Sequence, residues 1–348
     1  MDLNWLAQPC RMPDIALRAA AENHQRHLTK PAGSLGRLER LAIELAALQG
    51  TLQPAIDRVH ITIFAADHGV AAEGVSAFPQ AVTAQMIRNF AAGGAAINVL
   101  ARLLDARLTI INLGTVQALE ALPGVHEAHL GPGSANFVQA PALTAEQLAQ
   151  ALVIGAEAVA EAQRGQAQLF IGGEMGIANT TCATALACVL LALPPAQLAG
   201  PGTGLDPSGV ARKITVIEQA LACHQPQTPL EALRRLGGFE LAALTGAYVA
   251  CGQRGLPVLV DGYITSVAAL IALRLRPDLR SWLLFSHLGA EPGHRLVLQA
   301  MQAEPLLALE LRLGEASGAA LAVPLLRSAC ALHNQMASFE RAGVATAS

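Results

Sequence analysis

The stretch Ala167–Thr181, AQLFIGGEMGIANTT, joins a short apolar segment to a set of glycines, one acid and the start of a helix. Its apolar residues Leu169–Ile171 are typical of a parallel strand that is covered on both faces. The glycines that follow are Gly172, Gly173 and Gly176. Because glycine has no Cβ, the backbone can turn sharply here and a ligand can approach its N–H groups, while a helix beginning within Asn179–Thr181 offers its positive end. The stretch therefore predicts a strand, a turn and a helix that present Glu174 beside an anion site. An ordinary turn with this acid in solvent is the alternative.

The composition predicts a large apolar core. The chain has 348 residues, of which 53% are hydrophobic and only 14% are charged. This length favours a main α/β domain with a smaller appendage. The high apolar content excludes a disordered chain and indicates an oligomer interface that buries further apolar surface.

The charge pattern favours small molecules as partners. Lys and Arg total 23 against 26 Asp and Glu, which gives a net charge of -3. The sequence has no basic run of the kind that binds nucleic acid or an anionic membrane surface. The most hydrophobic run, Cys182 to Leu193, is too short to span a bilayer, so we expect a buried helix and no membrane insertion.

The cysteines and the N-terminal sequence predict a cytoplasmic protein. Six cysteines are scattered through apolar helices without C-x-x-C spacing, which indicates reduced thiols and neither zinc nor disulfides. The first residues, MDLNWLAQPCRMPD, lack the basic end and apolar core of a signal peptide.

Apolar strands alternate with helical segments along the whole chain. This alternation predicts an α/β fold with a Rossmann-like, doubly wound, mainly parallel sheet of about six strands. The predicted strands are Val59–Ala66, Leu108–Leu113, a short one near Val125–Leu130, Leu169–Ile171, Val258–Asp261 and Trp282–Phe285. We expect residues 1–50 to form a small helical subdomain completed by C-terminal helices, and residues 51–348 to form the α/β domain.

Two helix starts carry recognisable caps. Ser34 follows a loop with Pro and Gly and is positioned to cap a helix whose apolar face contains Leu41 and Leu45. Thr144 and Gln147 match a capping box at the start of a second helix.

Polar residues follow the ends of two predicted strands, where open α/β sheets bind their ligands. Asp67 and His68 end the first strand and are site candidates, although an acid bonded to a neighbouring loop with a packed histidine is an equal alternative. His287, Glu291 and His294 raise the possibility of a metal, but their loop contains Gly and Pro, and we expect no metal there.

The loop 200–209, GPGTGLDPSG, combines glycines with a hydroxyl and is followed by a lysine. Gly202, Thr203, Gly204 and Lys213 are a reasonable phosphate cradle. The loop matches neither G-x-x-x-x-G-K-[ST] nor G-x-G-x-x-G after a strand, so nucleoside triphosphates and dinucleotides lose support. A structural turn is the alternative.

Two further segments are candidate walls of the site. Glu315 lies among small residues just before an apolar helix, a setting that raises a carboxyl pKa toward that of a general base. A helix-terminal acid stabilised by the dipole is the alternative. The helix after Phe78 has Met86 and Phe90 on one face, which either packs in the core or walls a flat aromatic ring.

The motifs together resemble the nicotinate-nucleotide:dimethylbenzimidazole phosphoribosyltransferase family. The resemblance extends from about Lys30 to about Leu332. The motifs that carry it, in chain order, are KPAGSLGRLE, AADHGV, GGEMGIANTT, GTGLDPSG, VDGYITSVAAL, SHLGAEPGH and LRLGEASGAALA. It implies a homodimeric cytoplasmic enzyme with a Rossmann-like sheet and a small helical domain. Such an enzyme transfers the phosphoribosyl group of nicotinate mononucleotide to 5,6-dimethylbenzimidazole, giving α-ribazole 5'-phosphate and nicotinate for cobalamin.

The resemblance also assigns roles to residues. It implies that Glu315 is the catalytic base and that the carboxyl group of Glu174 also takes part in catalysis. The residues that it implies for the phosphate are Gly176, Gly202, Thr203, Gly204, Lys213, Ser286 and Gly289. Those that it implies for the benzimidazole slot are Phe78, Gln85, Met86 and Met175.

The sequence departs from the family pattern at three positions. Ala178 stands where Gly is usual, which is tolerated if its φ is negative. Pro207 replaces a commonly acidic residue, and Gly289 stands where many members have Ser. These two changes affect the details of phosphate contact.

The implied reaction needs neither a metal nor a cofactor. The pyridinium of the nucleotide is already a cationic leaving group, and a carboxylate can accept the proton that the attacking ring loses. A nucleotide- or benzimidazole-binding protein without base exchange is the alternative function, because fold alone does not fix function.

Overall fold

The computed structural model describes residues 3–345. In this part of the chain six parallel strands form one sheet, in the order β3-β2-β1-β4-β5-β6. The strands are β1 Val59–Ala66, β2 Arg107–Gly114, β3 Val125–Glu127, β4 Leu169–Met175, β5 Val258–Val260 and β6 Leu283–Phe285. The predicted α/β fold with a parallel sheet of about six strands is confirmed.

Helices cover both faces of this sheet. They are α1 Ile15–His27, α2 Arg37–Gln49, α3 Ala81–Ala91, α4 Ala96–Leu104, α5 Ala145–Arg164, α6 Asn179–Leu191, α7 Pro195–Leu198, α8 Pro207–Cys223, α9 Pro229–Leu236, α10 Phe239–Arg254, α11 Tyr263–Leu275, α12 Pro292–Ala300, α13 Ser317–Gln335 and α14 Phe339–Ala342. Alternate residues of β4 enter two separate cores: Phe170 packs with α10 on one face, and Ile171 packs with α13 on the other. Within residues 3–345, no helix combines the length and hydropathy that crossing a bilayer needs.

Strand β4 extends further than the sequence predicts. Gly172 and Gly173 lie inside the strand, paired with β1, rather than in a turn after it. They are needed for close packing: a Cβ on Gly172 would lie 2.5 Å from Cδ2 of Leu244, and one on Gly173 would lie 2.8 Å from Cβ of Ala316. The turn begins only at Gly176. Helix α6 begins at Asn179, as predicted.

Ala178 does not have the negative φ under which alanine is tolerated in place of the usual glycine. Its φ is +79°, so an alanine occupies the left-handed region at the residue before α6. The condition of a negative φ is therefore not met. The side chain is buried, and the backbone strain of a non-glycine residue here costs about 1 kcal/mol.

Of the two predicted helix caps, one is confirmed. Thr144 and Gln147 form the reciprocal capping box of α5. The Ser34 prediction is wrong, because α2 starts later: Gly36, with φ +55°, precedes it, and no side chain within residues 3–345 caps it. The backbone N–H of Leu35 instead donates to the carboxylate of Glu39 over 2.9 Å.

The N-terminal helices contact the C-terminal part of the chain. The ring of His24 bonds the carbonyl of His333 over 2.8 Å, and the amide of Gln25 bonds Nδ1 of the same histidine over 2.8 Å. The Thr29 N–H donates to the carbonyl of Ala337. The division at residue 50 stays a prediction.

Candidate active site

A cleft lies at the carboxyl ends of the strands, where the strand order reverses. The chain moves outward on one side from β1 to β3 and on the other side from β4 to β6, so the neighbours β1 and β4 form a switch point. Ligands of open α/β sheets bind in the crevice at such a point. The cleft encloses about 720 Å³, part of which is open to solvent.

The walls of the cleft come from five segments of the chain. They are the end of β4 with the start of α6, the 202–203 loop, the start of α11, the loop after β6, and the segment before α13. The lining residues are Glu174, Met175, Gly176, Ile177, Asn179, Thr180, Gly202, Thr203, Gly262, Tyr263, Ile264, Thr265, His287, Gly289, Glu291, Leu311, Arg312, Leu313 and Gly314.

Glu174 is a buried acid at the end of β4, only 5% exposed. The side-chain amide of Asn179 donates to its Oε2, which joins the strand to the first turn of α6. Burial, reinforced by the charges of Glu240 and Asp261, raises the pKa of Glu174 to about 8. The alternative of a solvent-facing acid is wrong, and at neutral pH this carboxyl holds its proton.

Glu315 follows directly on the segment that forms the opposite wall. Gly314, Glu315 and Ala316 have φ values of +84°, +59° and +61°, three successive left-handed residues. Two of these are not glycine, and strain of this kind is concentrated at functional sites. The side chain is 6% exposed, and burial raises the pKa of Glu315 to about 7.

Asp261 fixes the backbone on which Glu315 sits. This acid follows β5 and is 1% exposed. Its Oδ1 accepts from the N–H of Ala319 over 2.7 Å, in the first turn of α13. Burial raises the pKa of Asp261 to about 7, while hydrogen bonds from backbone N–H groups, Gly318 and Ala316 among them, act in the opposite direction. Asp261 thus fixes the segment that follows Glu315 through hydrogen bonds to its backbone.

The candidate phosphate cradle contains a buried cation behind its glycines. Lys213, on α8, is 1% exposed, and its Nζ donates to the carbonyl of Gly200 over 3.0 Å and to Oγ1 of Thr180 over 3.2 Å. A Cβ on Gly202 would lie 3.1 Å from this Nζ. Burial lowers the pKa of Lys213. The cation therefore lies behind the loop that lines the cleft, and in the part of the chain that the structure describes no side chain caps the start of α6 beside it.

Three residues of the predicted phosphate set occupy different places. Gly289 lines the cleft. Ser286 is buried and bonds Nδ1 of its neighbour His287 over 2.9 Å. Gly204 has φ +116° and has no atoms near the position of a Cβ among the described residues, so it lies on an open part of the loop. Pro207 is the first residue of α8, which Asp206 caps through the N–H of Gly209.

The histidines of the possible metal group are engaged in hydrogen bonds. Nδ1 of His294 accepts from the N–H of Gly289 over 2.9 Å, and its Nε2 faces Oγ of Ser266 at 3.1 Å. Burial lowers the pKa of His294 to about 3 and that of His287 to about 4. Within residues 3–345, no three His, Cys, Asp or Glu side chains form a group that could hold a metal ion.

Of the four residues predicted for the aromatic slot, one is among the residues that line the cleft. Met175 lines it. On α3 and before it, Phe78 and Gln85 are exposed, while Met86 packs partly on the core. This helix is joined to the cleft, because Oγ1 of Thr83 accepts from the N–H of Ile177 over 3.1 Å.

Asp67 and His68 are buried and are not among the residues that line the cleft. Oδ2 of Asp67 accepts from the N–H of Val116 over 2.9 Å. His68 is fully buried, with Nε2 at 2.9 Å from Oε1 of Glu240 and Nδ1 at 3.1 Å from Sγ of Cys182. These contacts favour the structural alternative for this pair.

Sequence reasoning missed several residues of the cleft. For Asn179 and Thr180 the sequence predicts only a helix start, yet these residues bond Glu174 and Lys213, respectively. Arg312, an exposed cation in the wall, was not singled out either. Its position just ahead of Glu315 is a weak signal, since loop arginines are common on any surface.

The fold and the cleft, with a buried acid and a glycine loop in its walls, are typical of an α/β enzyme that binds a small ligand at the switch point of its sheet, and the family comparison agrees. The phosphoribosyltransferase family model DBI_PRT matches residues 10–344, so the chain belongs to this family. The resemblance drawn from the motifs is thereby confirmed.

Named relatives from three organisms are similar to this chain. It is 62% identical to the nicotinate-nucleotide--dimethylbenzimidazole phosphoribosyltransferase of Pseudomonas aeruginosa (strain UCBPP-PA14), with 99% of each chain covered. It is also 62% identical to the protein of that name from Azotobacter vinelandii, covering 100% of this chain and 99% of the relative. The crystal structure of the Thermus thermophilus enzyme of this name superposes with a TM-score of 0.91 at 44% identity, covering 96% of this chain and 100% of that chain.

Proposed function

We propose that this protein transfers the phosphoribosyl group of nicotinate mononucleotide to 5,6-dimethylbenzimidazole, giving α-ribazole 5'-phosphate and nicotinate for cobalamin synthesis. The observation that carries the proposal is the proximity of two buried acids: Glu174 lines the cleft, Glu315 follows directly on the wall segment that ends at Gly314, and the charge of Glu315 acts on Glu174. The names of the full-length relatives, 62% identical to this chain, support the choice of substrates.

Glu315 is the general base of the proposed reaction. The attacking ring nitrogen becomes cationic as it bonds to C1' of the ribose, and the proton on the other ring nitrogen must leave. A carboxylate within hydrogen-bond reach accepts it most effectively when its pKa lies near the working pH. The pKa of Glu315, about 7, meets this condition.

The leaving group needs no acid, because the pyridinium ring departs as neutral pyridine nitrogen of nicotinate. Attack from the opposite face inverts C1', so the β-nucleotide gives an α-product and no covalent enzyme intermediate is required. The two rings must then be held on either side of the ribose, which makes positioning the main task of the cleft.

Glu174 orients the incoming ring. With a pKa of about 8 its carboxyl is protonated near neutral pH, so it donates a hydrogen bond and does not act as a second base. The bond from Asn179 fixes one of its oxygens. A fixed neutral acid can select one orientation of a flat heteroaromatic ring.

The substrate groups are assigned to the two ends of the cleft. The phosphate takes the cradle, and the aromatic base takes the slot near α3. The cradle residues are Gly176, Gly202, Thr203, Gly204, Lys213, Ser286 and Gly289. The slot residues are Phe78, Gln85, Met86 and Met175. The contact of Ser76 with Thr203, at 3.4 Å between their hydroxyl oxygens, supports a link between these ends.

The decisive experiment mixes the purified protein with nicotinate mononucleotide and a panel of bases that includes dimethylbenzimidazole, adenine and phenols. We expect nicotinate release and a product whose anomeric proton and carbon signals identify the α-configuration. Binding of the nucleotide without nicotinate release would contradict the proposal and favour the binding-protein alternative.

The assembly is a homodimer in this proposal. Large apolar side chains are exposed near the Glu315 segment, namely Leu309, Leu313 and Leu321. Burial of such side chains between two copies would remove apolar surface next to the site. Sedimentation equilibrium should give twice the mass of the chain, and a monomer at micromolar concentrations would contradict this assembly.

The proposal also includes a cytoplasmic location and a division into two domains. The cysteines of residues 3–345 are all free, which fits the reducing cytoplasm, and cell fractionation tests it. The contacts of α1 with the end of α13 support a helical subdomain of residues 1–50 completed by C-terminal helices. If limited proteolysis cleaves near residue 50, the fragment of residues 1–50 should not be stable when it is separated from the C-terminal helices.

A further inference from the structure

Glu291 is an acid in the wall of the cleft that the proposed reaction leaves without a role. It precedes α12 and lines the cleft beside Gly202. Its Oε2 packs against Gly200 so closely that a Cβ there would overlap the carboxylate. The side chain therefore lies against the same loop that forms the candidate phosphate cradle.

The groups that surround this carboxylate are those that an incoming phosphate would use. The backbone N–H of Gly202 and the positive charges of Lys213 on α8 and Arg312 ahead of α13 all act to lower the pKa of this carboxyl. The ammonium of Lys213 donates to the carbonyl of Gly200, so it reaches the loop from the other side. Glu291 thus lies within the electrostatic influence of the cations and backbone donors of the cradle.

The other titratable groups near Glu291 do not take up a proton near neutral pH when a second anion binds. Glu291 is therefore the group whose protonation responds. From α11 the phenol of Tyr263 faces it, and burial raises the pKa of that phenol beyond the neutral range. On α12 both ring nitrogens of His294 are held by Gly289 and Ser266. Burial raises the pKa of Glu291 itself, and the two cations oppose this.

We propose that Glu291 is the internal anion of the phosphate site in the free protein, and that binding of a phosphate-bearing nucleotide is coupled to uptake of a proton from solvent by this carboxyl. A phosphate dianion beside an ionised carboxylate in a partly buried site disfavours the charged acid. The proton goes onto Glu291, and no other bond changes. This inference rests on the cradle assignment in the proposed function.

The main rival explanation makes the opposite prediction. If Glu291 served only to orient Lys213, its neutralisation would weaken nucleotide binding. If it is an internal competitor, its neutralisation strengthens binding, because the phosphate no longer meets a negative charge. The variant Glu291→Gln keeps the shape and one acceptor for Gly202, and therefore separates charge from packing.

The test is calorimetric titration of nicotinate mononucleotide, without an acceptor base, into the intact protein in two buffers of different ionisation enthalpy. At about pH 7 the nucleotide phosphate is largely a dianion, and any change in its own protonation is common to both proteins. We expect the unmodified protein to take up about half a proton more than Glu291→Gln does. The variant should bind the nucleotide about 3- to 10-fold more tightly. Nicotinate riboside, which lacks the phosphate, should bind both proteins equally.

A matched control is Glu304→Gln, which removes an exposed acid paired with Arg40 away from the cleft and should change neither quantity. Weaker nucleotide binding by Glu291→Gln, or equal proton uptake in the two proteins, would overturn the inference. Addition of dimethylbenzimidazole to the same samples tests the proposed function separately. Proton uptake without nicotinate release would refute only the reaction, and release without a proton difference would refute only the role of Glu291.

Discussion

Gly314 lies directly against the carboxylate of Glu174, so closely that a Cβ on residue 314 would overlap Oε1. This contact joins the segment before α13 to the end of β4. It explains why the two acids of the cleft are neighbours although they are far apart in the chain. The charge of Glu315 contributes to the raised pKa of Glu174, as expected for acids that share one site.

Substitution of Gly314 by alanine should therefore damage activity more than stability. The added methyl group must displace the Glu174 carboxylate or the Glu315 backbone, and a displacement of about 1 Å in a reacting group can lower turnover about 10²-fold. The left-handed φ of +84° adds a strain of about 1 kcal/mol. Turnover and urea unfolding measure the two effects.

Gly124→Ala is the matched control. Gly124 has φ +76° and has no atoms within 4 Å of a Cβ among the described residues, so its alanine variant carries the strain without the overlap. It should lose similar stability and keep its turnover. Equal turnover in the two variants would contradict the positional role of Gly314.

Replacement of Glu315 by glutamine should lower turnover by about 10²- to 10⁴-fold, because the proton of the attacking ring loses its acceptor. Folding should be little changed, since the side chain keeps its shape. The rate of the unmodified enzyme should rise with pH through about 7, the pKa of the Glu315 carboxyl. The rate of the variant should not show this rise. Near-normal turnover in Glu315→Gln would remove the residue from the role.

Much of the fold follows from local patterns, whereas the close contacts of the site do not. The strand at Val59–Ala66 and the start of α6 at Asn179 are readable because apolar runs and helix starts are local signals. The extension of β4 through Gly172 and Gly173 depends on α10 and on the Ala316 segment, which approach from distant parts of the chain. Glycine predicts a turn equally well until those neighbours are known.

The roles of the site residues show the same limit. Glu174 and Glu315 stand out in their motifs, but their raised pKa values come from burial by segments that the sequence alone does not bring together. The left-handed φ of Ala178 is hidden for a related reason. Alanine favours helix, and only the geometry of the Gly176 turn imposes a positive φ.

The raised pKa of Glu174 predicts a pH-dependent stability difference between the natural protein and Glu174→Gln. The folded state binds this proton more tightly than the unfolded state, whose pKa is the ordinary 4.5. The contribution to stability is therefore complete below pH 4.5 and is lost as pH rises to about 8. Relative to the variant, the natural protein should lose free energy of unfolding across this window. A difference that is constant with pH, measured by denaturant titration, would contradict the buried, protonated state.

Replacement of Lys213 by alanine should mainly raise the KM for nicotinate mononucleotide, because the phosphate loses a charge-assisted contact. The increase should be about 10-fold or more, since hydrogen bonds to charged groups are worth about 1.5–3 kcal/mol. The buried side chain also bonds Gly200 and Thr180, so the loop itself is expected to loosen.

Nicotinate riboside separates these two effects of Lys213→Ala. Loosening of the loop alone would weaken binding of nucleotide and riboside alike, whereas loss of a phosphate contact would leave binding of the riboside unchanged. Lys213→Arg, which retains the charge, should recover part of the nucleotide affinity, and an unchanged KM in Lys213→Ala would discard the cradle assignment.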